Sequence, residues 1–269
     1  MIDEIYFKDD GKVNITAASV GISKRRWICV NESEIENKSY LELMSKNRFD
    51  LLPIVSKAET KEYFITKTPN EFSQIERKKI VFEDTLELNT NIRNVIDNFS
   101  SRKRTFYFLT FQKGIVGLIT IGNLNCRQVQ IYIFQHLCDL ERTLGDFLNS
   151  KLNHNEIIKW LKSKSNPEKE NDKYSGILKL YENLTELDLE NKITEHFYFV
   201  DFFNIINDLK LYEYLGVSGT YWSKYNSINE IRNRIAHPTR SLLDKENTIE
   251  KLSKRLGKID ELLFTLNNN

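Results

Sequence analysis

Cysteine, glycine and proline are all scarce in this chain, with 3, 10 and 4 in 269 residues. Cys29, Cys126 and Cys138 are odd in number, widely spaced and without a C-x-x-C pair, which excludes a zinc ribbon and a dithiol redox motif. The four histidines (His136, His154, His196, His237) make no H-x-x-x-H pair, so no metal site is expected. So few glycines and prolines leave little room for an all-β protein built on tight turns. Neither G-x-G-x-x-G nor G-x-x-x-x-G-K-[ST] occurs, which removes the dinucleotide-binding and P-loop enzyme classes. Charge of one sign is lacking too: 39 Lys and Arg against 38 Asp and Glu leave a net +1. Such a balance excludes a protein that coats nucleic acid or anionic lipid by bulk charge. The longest apolar runs, such as Gly114 to Ile121, fall far short of the roughly 20 residues that span a bilayer. MIDEIYFKDDGK at the N-terminus has no basic n-region followed by an apolar h-region, so no secretory signal is read there. A cytoplasmic protein with reduced thiols is expected.

What is present is a 40% hydrophobic, 29% charged chain, able to bury a core and long enough for one or two domains. The pattern changes near residue 126. Before it, short β-branched and aromatic runs read as buried strands: Leu51 to Val55, Tyr63 to Thr66, Phe106 to Leu109 and Ile115 to Ile121. Amphipathic stretches of helical period precede each pair, Ser39 to Asn47 and Asn91 to Phe99. In the second, Ile92, Val95, Ile96 and Phe99 share one face. The two strand pairs read as a weak internal repeat, closed by Ile65-Thr66 in one copy and Ile119-Thr120 in the other.

The second copy, G-I-V-G-L-I-T-I-G-N-L from Gly114 to Leu124, resembles the end of a CBS motif, where that family writes G-x-x-T-x-x-D-L. F-D-L-L-P-I-V, Phe49 to Val55, is similar to the family's P-V-V-D strand. The likeness covers residues 15 to 125 and implies an α/β sensor module that binds an adenine nucleotide between its copies. A strand-ending Thr offers its hydroxyl to phosphate or ribose oxygens, and an acidic residue three later accepts from both ribose hydroxyls. On this resemblance Thr120, Asn123 and Thr66 are the cofactor-binding candidates. Asn123 replaces the acidic residue in the second copy, and Pro69 stands at its counterpart in the first. A nucleotide-free interaction domain is the alternative.

After residue 126 the chain reads as helical. Ile133, Leu137, Leu140, Leu144 and Leu148 recur at spacings of three and four along Val129 to Leu152. Lys162 to Lys173 is a charged connection containing Pro167. His196 to Leu215 reads as a central helix, apolar almost all round at first, and Ile249 to Leu266 as a last amphipathic helix with Asp244 as its N-cap. A bundle of four or five helices is expected over residues 127–269. The fold class is therefore α+β, an α/β module over 1–126 followed by an all-α bundle.

Within that bundle lies I-N-E-I-R-N-R-I-A-H-P, Ile228 to Pro238. Ile228, Ile231 and Ile235 form its apolar stripe, so Arg232, Asn233 and His237 lie off it. Asn233 and His237 are i and i+4 and share a face. Pro238 disfavours helix at His237, which predicts a break that lets the imidazole swing toward Arg232 instead of staying about 140° round the axis. RNA carries its own nucleophile, the 2′-OH, beside the scissile phosphate. Cleaving it requires a proton donor or acceptor that works near neutral pH, as His does. It also requires a fixed planar cation for the charge that develops on phosphorus, as Arg provides. Asn233 can orient the imidazole or bond a phosphate oxygen.

R-N-x-x-x-H on a helix of an all-α bundle resembles the HEPN ribonuclease motif, and Arg232, Asn233 and His237 fit it position by position. This resemblance covers residues 127–269. It implies a metal-independent endoribonuclease acting on an RNA substrate as a homodimer, with two motifs facing each other across one cleft. Together the two halves suggest a defence or toxin effector controlled by a nucleotide ligand or protein partner. Two rivals stand beside it: a non-enzymatic sensing and dimerisation protein, and the HEPN partner of a nucleotidyltransferase. Arg232 has a structural alternative, pairing with Glu230, Glu141 or Asp139. Arg234 and Arg240 either reach RNA phosphates or line a solvated face, and Tyr221, Trp222 and Tyr225 are expected to pack rather than stack on bases.

Overall fold

The computed structural model describes residues 14–268, apart from 58, 113, 167, 170, 188–191 and 238. Two compact units result. The first holds the chain up to Val129 together with Leu243–Glu250, and the second holds Gln130–Leu242 and the chain from Lys251 onward. Both strand-bearing sheets lie in the first unit, and the second is helical.

In the first unit the elements are α1 (Ala17–Val20), β1 (Ile22–Ser23), β2 (Val30–Asn31), α2 (Ser39–Asn47), β3 (Leu51–Ser56) and β4 (Glu59–Thr66). They continue with β5 (Ile75–Lys79), β6 (Thr85–Glu87), α3 (Ile92–Arg102), β7 (Phe106–Phe111) and β8 (Gly114–Thr120). The two expected amphipathic stretches are α2 and α3, and Asn91 caps α3 by accepting from Asn94 N at 2.8 Å. Two four-stranded sheets form, ordered β2-β3-β4-β5 and β1-β8-β7-β6.

Each sheet repeats one plan: a short strand, a helix, a strand parallel to the first, then an antiparallel hairpin. Irregularities recur at matching places, between Ile54 and Val55 and between Leu109 and Thr110. The strand preceding each copy crosses to the other copy's sheet, β1 onto β8 and β5 onto β4. The internal repeat is thus present, but its register corrects the sequence alignment. Leu51 pairs with Ile65, and Phe106 pairs with Thr120, so the counterpart of Thr120 is Ile65 rather than Thr66. The backbone agrees: Thr66 N bonds Asp50 O as Ile121 N bonds Thr105 O. Aligning the copies on their Ile-Thr pairs shifts them by one residue, which exchanges the faces of every side chain compared.

The sheets bury Val30, Met44, Leu52, Ile54 and Phe64 in one cluster, with Tyr40 stacked on Phe64 at 4.0 Å between ring centroids. A second cluster joins Tyr63 of the first copy to Phe106, Phe108 and Leu118 of the second. β1 approaches β8 so closely that a Cβ on Gly117 would stand 2.7 Å from Ile22 O. A backbone atom cannot give way cheaply, so Gly117→Ala should cost about 1–3 kcal/mol and lower the melting temperature measurably. An unchanged melt would show that β1 can leave the sheet without loss.

The second unit contains α4 (Arg127–Lys151), α5 (His154–Lys164), α6 (Lys173–Glu186), α7 (Phe199–Asp208), the short α8 (Gly219–Trp222), α9 (Ile228–Ile235) and α10 (Ile249–Asn267). Six of these have eight or more residues, against the four or five expected. Ile133, Leu137, Leu140, Leu144 and Leu148 of α4 are all buried, as their spacing demands. The apolar stretch His196 to Leu215 is not one helix. α7 ends at Asp208, Lys210 takes the left-handed conformation (φ 55°), and a 3-10 helix runs from Leu211 to Leu215. Asp244 does not cap α10: its Oδ1 accepts from Glu246 N and Asn247 N in a turn ahead of that helix. Asn125 and Leu243 fasten the returning segment by a reciprocal pair of hydrogen bonds at 2.6 and 3.1 Å.

Candidate functional site

α9 forms where Ile228, Ile231 and Ile235 fall on one face, and all three are buried. Asn233 and His237 stand on the exposed side, while Arg232 and Arg234 flank the stripe, half-buried. Helical hydrogen bonding continues past Ile235. Ala236 keeps right-handed helical dihedrals and donates to Arg232 O at 2.9 Å, and His237 N donates to Arg234 O at 3.2 Å. The α-helix thus ends before His237, as expected, and passes into a tighter turn whose bond spans three residues instead of four. Pro238, on which that expectation rested, lies outside the described residues. Among the described residues, no hydrogen bond or ion pair links the side chains of Arg232, Asn233 and His237 to one another.

The loop after the motif is anchored from α9 and α4. Arg234 Nη1 donates to Ser241 O at 2.6 Å, Gln130 Nε2 to Arg240 O at 3.4 Å, and Arg240 N to His237 O at 2.9 Å. Arg234 is thus committed to the loop, whereas Arg240 is exposed. Of the three carboxylates that compete for Arg232, Glu230 is taken by Arg255 and Asp139 by Arg142 at 2.7 Å. Glu141 of α4 remains. Burial raises its carboxyl above the usual range, and the Arg232 guanidinium pulls it back part of the way. Sequence reading named Glu141 only as one alternative of three, because nothing local distinguishes α4 positions that face α9. Removing the cation in Arg232→Ala should move the Glu141 titration further up, as read by carbon-detected NMR of the carboxyl. A titration that stays in place would show the two groups to be uncoupled.

The aromatics before the motif pack as expected. Trp222 and Tyr225 are buried, and Tyr221 is half-buried with its hydroxyl donating to Glu261.

In the first unit, a cavity of about 530 Å³ is lined by matched residues of both copies: Asp50 with Thr105, Leu51 with Phe106, Ile65 with Thr120. Arg26, Trp27 and Arg48 also line it. Thr120 therefore stands at the cavity, but Asn123 turns back. Its Oδ1 accepts from Thr120 N at 2.8 Å and from Thr120 Oγ1 at 2.9 Å. Thr66 is buried, with its hydroxyl donating to Asp50 Oδ1 at 3.1 Å. Of the three residues singled out for a nucleotide, only Thr120 lines this space. The basic residues Arg26 and Arg48 do so as well. A larger cavity of about 760 Å³ lies under α3, between Thr60 and Ile115.

No group of three or more metal-ligating side chains occurs among the described residues, and no helix there is long and apolar enough to cross a membrane.

No protein-family model and no curated protein matches the chain. Solved structures do. A hemolysin-like protein containing a CBS domain from Oenococcus oeni PSU shares 15% identity over 41% of this chain and 88% of that chain, at a TM-score of 0.30. Hypoxic response protein I with two coordinated zinc ions shares 14% over 41% of this chain and 96% of its own, also at 0.30.

Proposed function

We propose that the protein is a metal-independent endoribonuclease that acts as a homodimer, with Arg232, His237 and Asn233 as its catalytic residues. The observation that carries this reading is the state of those side chains. An arginine, an asparagine and a histidine at HEPN spacing close one short helix, with Asn233 and His237 on its exposed side and Arg232 half-buried within reach of the Glu141 carboxylate. No hydrogen bond joins Arg232 to His237 within one chain, and a two-fold pair would bring two copies of the motif to one active centre. There one imidazole takes the proton of the RNA 2′-OH and the other protonates the leaving 5′-oxygen, while the guanidinium groups hold the charge on the phosphate. Asn233 orients the neighbouring imidazole or bonds a phosphate oxygen.

The first unit is the regulatory half of this reading, a CBS-like module that takes an adenine nucleotide or a protein partner. Support comes from the repeated strand–helix–hairpin plan and from the cavity that the two copies share, with Thr120 and the basic Arg26 and Arg48 at its wall. The bundle and its motif suit a cytoplasmic defence or toxin effector. The test is cleavage of a labelled single-stranded RNA by purified protein in EDTA. Cleavage that requires an added metal, or none at all, overturns the reading.

A further inference from the structure

We infer that a cluster of three lysines beside the motif, Lys224, Lys254 and Lys258, is the track that carries the backbone of a single-stranded RNA to His237. The inference rests on the ribonuclease reading for its choice of ligand. Its geometry comes from one face of α9. Glu230, Asn233 and His237 are spaced three and four apart, so they follow one another along that face. Glu230 marks where the face meets α10, because it pairs with Arg255 of that helix.

Around Arg255 lysines gather, with the Glu230 and Glu261 carboxylates among them. Lys254 and Lys258 are i and i+4 on α10, one turn apart on the same side. Lys258 Nζ reaches across to Ser227 Oγ at 2.7 Å and to Lys224 O, which ties α10 to the segment that leads into α9. Lys224 itself lies over the Tyr221 ring at 4.4 Å from its centre. Nearby carboxylates are already engaged: Glu230 by Arg255, and Glu261 by the Tyr221 hydroxyl. Burial, then Lys254 and Arg255, hold the Lys258 ammonium below the usual lysine range, so the cations lie close enough to repel one another. A fold that gathers like charges on an exposed rim raises its own energy, and a polyanion relieves that repulsion on binding. In a chain whose net charge is only +1, this is a local concentration, not a general property of the surface.

The test uses the His237→Ala protein, so that RNA survives, and compares it with the same protein carrying Lys224→Glu and Lys254→Glu. Both of those lysines are exposed, and circular dichroism melts of the two proteins are compared to check that the fold is kept. Binding of a fluorescein-labelled 20-nucleotide single-stranded RNA is read by anisotropy across a salt series. The double charge reversal should weaken binding about tenfold and lower the slope of log K against log salt by about 1.4, since each phosphate contact on a single strand contributes roughly 0.7. Equal affinity and slope in the two proteins would overturn the track, and so would equally tight binding of duplex DNA. The two ideas fail separately. Cleavage by wild-type protein with an unchanged salt slope in the variant sinks the track alone. A lost slope in a protein that cuts nothing sinks the ribonuclease reading and leaves the track as a binding site.

Discussion

Alanine at Arg232 or at His237 is expected to lower cleavage of single-stranded RNA in EDTA by at least about 10³-fold in kcat/KM. General acid–base catalysis by a positioned side chain contributes roughly 10²–10⁴ in rate. A preorganised cation at the developing charge contributes a comparable factor, roughly 10²–10³ for one donor lost. Both groups act on the same transition state, so the double variant should be little worse than either single one. Asn233→Ala, which removes an orienting amide and no charge, should lose less, about 10–100-fold. His237 is exposed and its side chain makes no hydrogen bond to a described residue, so His237→Ala should melt as the wild type does. A loss of activity there is then chemical and not structural. Mixing the two dead proteins tests the dimer directly. Heterodimers place one Arg232 and one His237 in a shared cleft, so part of the activity should return. Full activity in either single variant sinks the site assignment, and recovery on mixing supports the two-protomer cleft.

How much of this was readable beforehand differs between the halves, for physical reasons. Strands β3, β4, β7 and β8 and helices α2 and α3 announce themselves, because a buried strand in a two-sided layer is a continuous apolar run and an amphipathic helix has a 3.6-residue period. The register of the repeat was not readable. Thr66 and Thr120 carry the same side chain at the end of the same kind of strand, and only the ladders show that Thr120 matches Ile65. In the helical half, α4 and α10 follow from long, regular apolar stripes. The break at Lys210 does not, since no glycine or proline marks the residue that takes the left-handed conformation. At the candidate site, the exposure of Asn233 and His237 followed from the isoleucine stripe alone. The partner choice of Arg232 did not. Three acidic residues were eligible by sequence, and it took Arg255 and Arg142, far apart in the chain, to occupy two of them.

Lys173→Met is expected to be the most destabilising single charge removal in the helical unit, because of what it leaves behind. Asp201 is fully buried near the start of α7, and its two oxygens have different employment. Oδ2 accepts from Tyr198 N at 3.0 Å, which caps the helix, and Oδ1 takes the Lys173 ammonium. That ammonium also sits over the Tyr174 ring at 4.4 Å and the Tyr198 ring at 5.5 Å, so its stem and head are both packed. Burial alone would lower the lysine's pKa, yet the Asp201 carboxylate and Tyr174 more than reverse this and hold the group charged. Methionine keeps the stem's volume but strands a carboxylate with one hydrogen bond in a dry site. Breaking such a pair costs about 3–5 kcal/mol, and the lower end applies here because a third of the lysine side chain still meets water. A fall in melting temperature of roughly 10 °C should follow. Asp201→Asn keeps the cap acceptor and frees the lysine to turn toward solvent, so it should cost less. Combined with Lys173→Met, it removes the stranded charge and should recover part of what the methionine alone loses. A double variant no more stable than Lys173→Met would mean that the methionine variant fails through lost packing on Tyr174 and Tyr198, with the buried carboxylate contributing nothing.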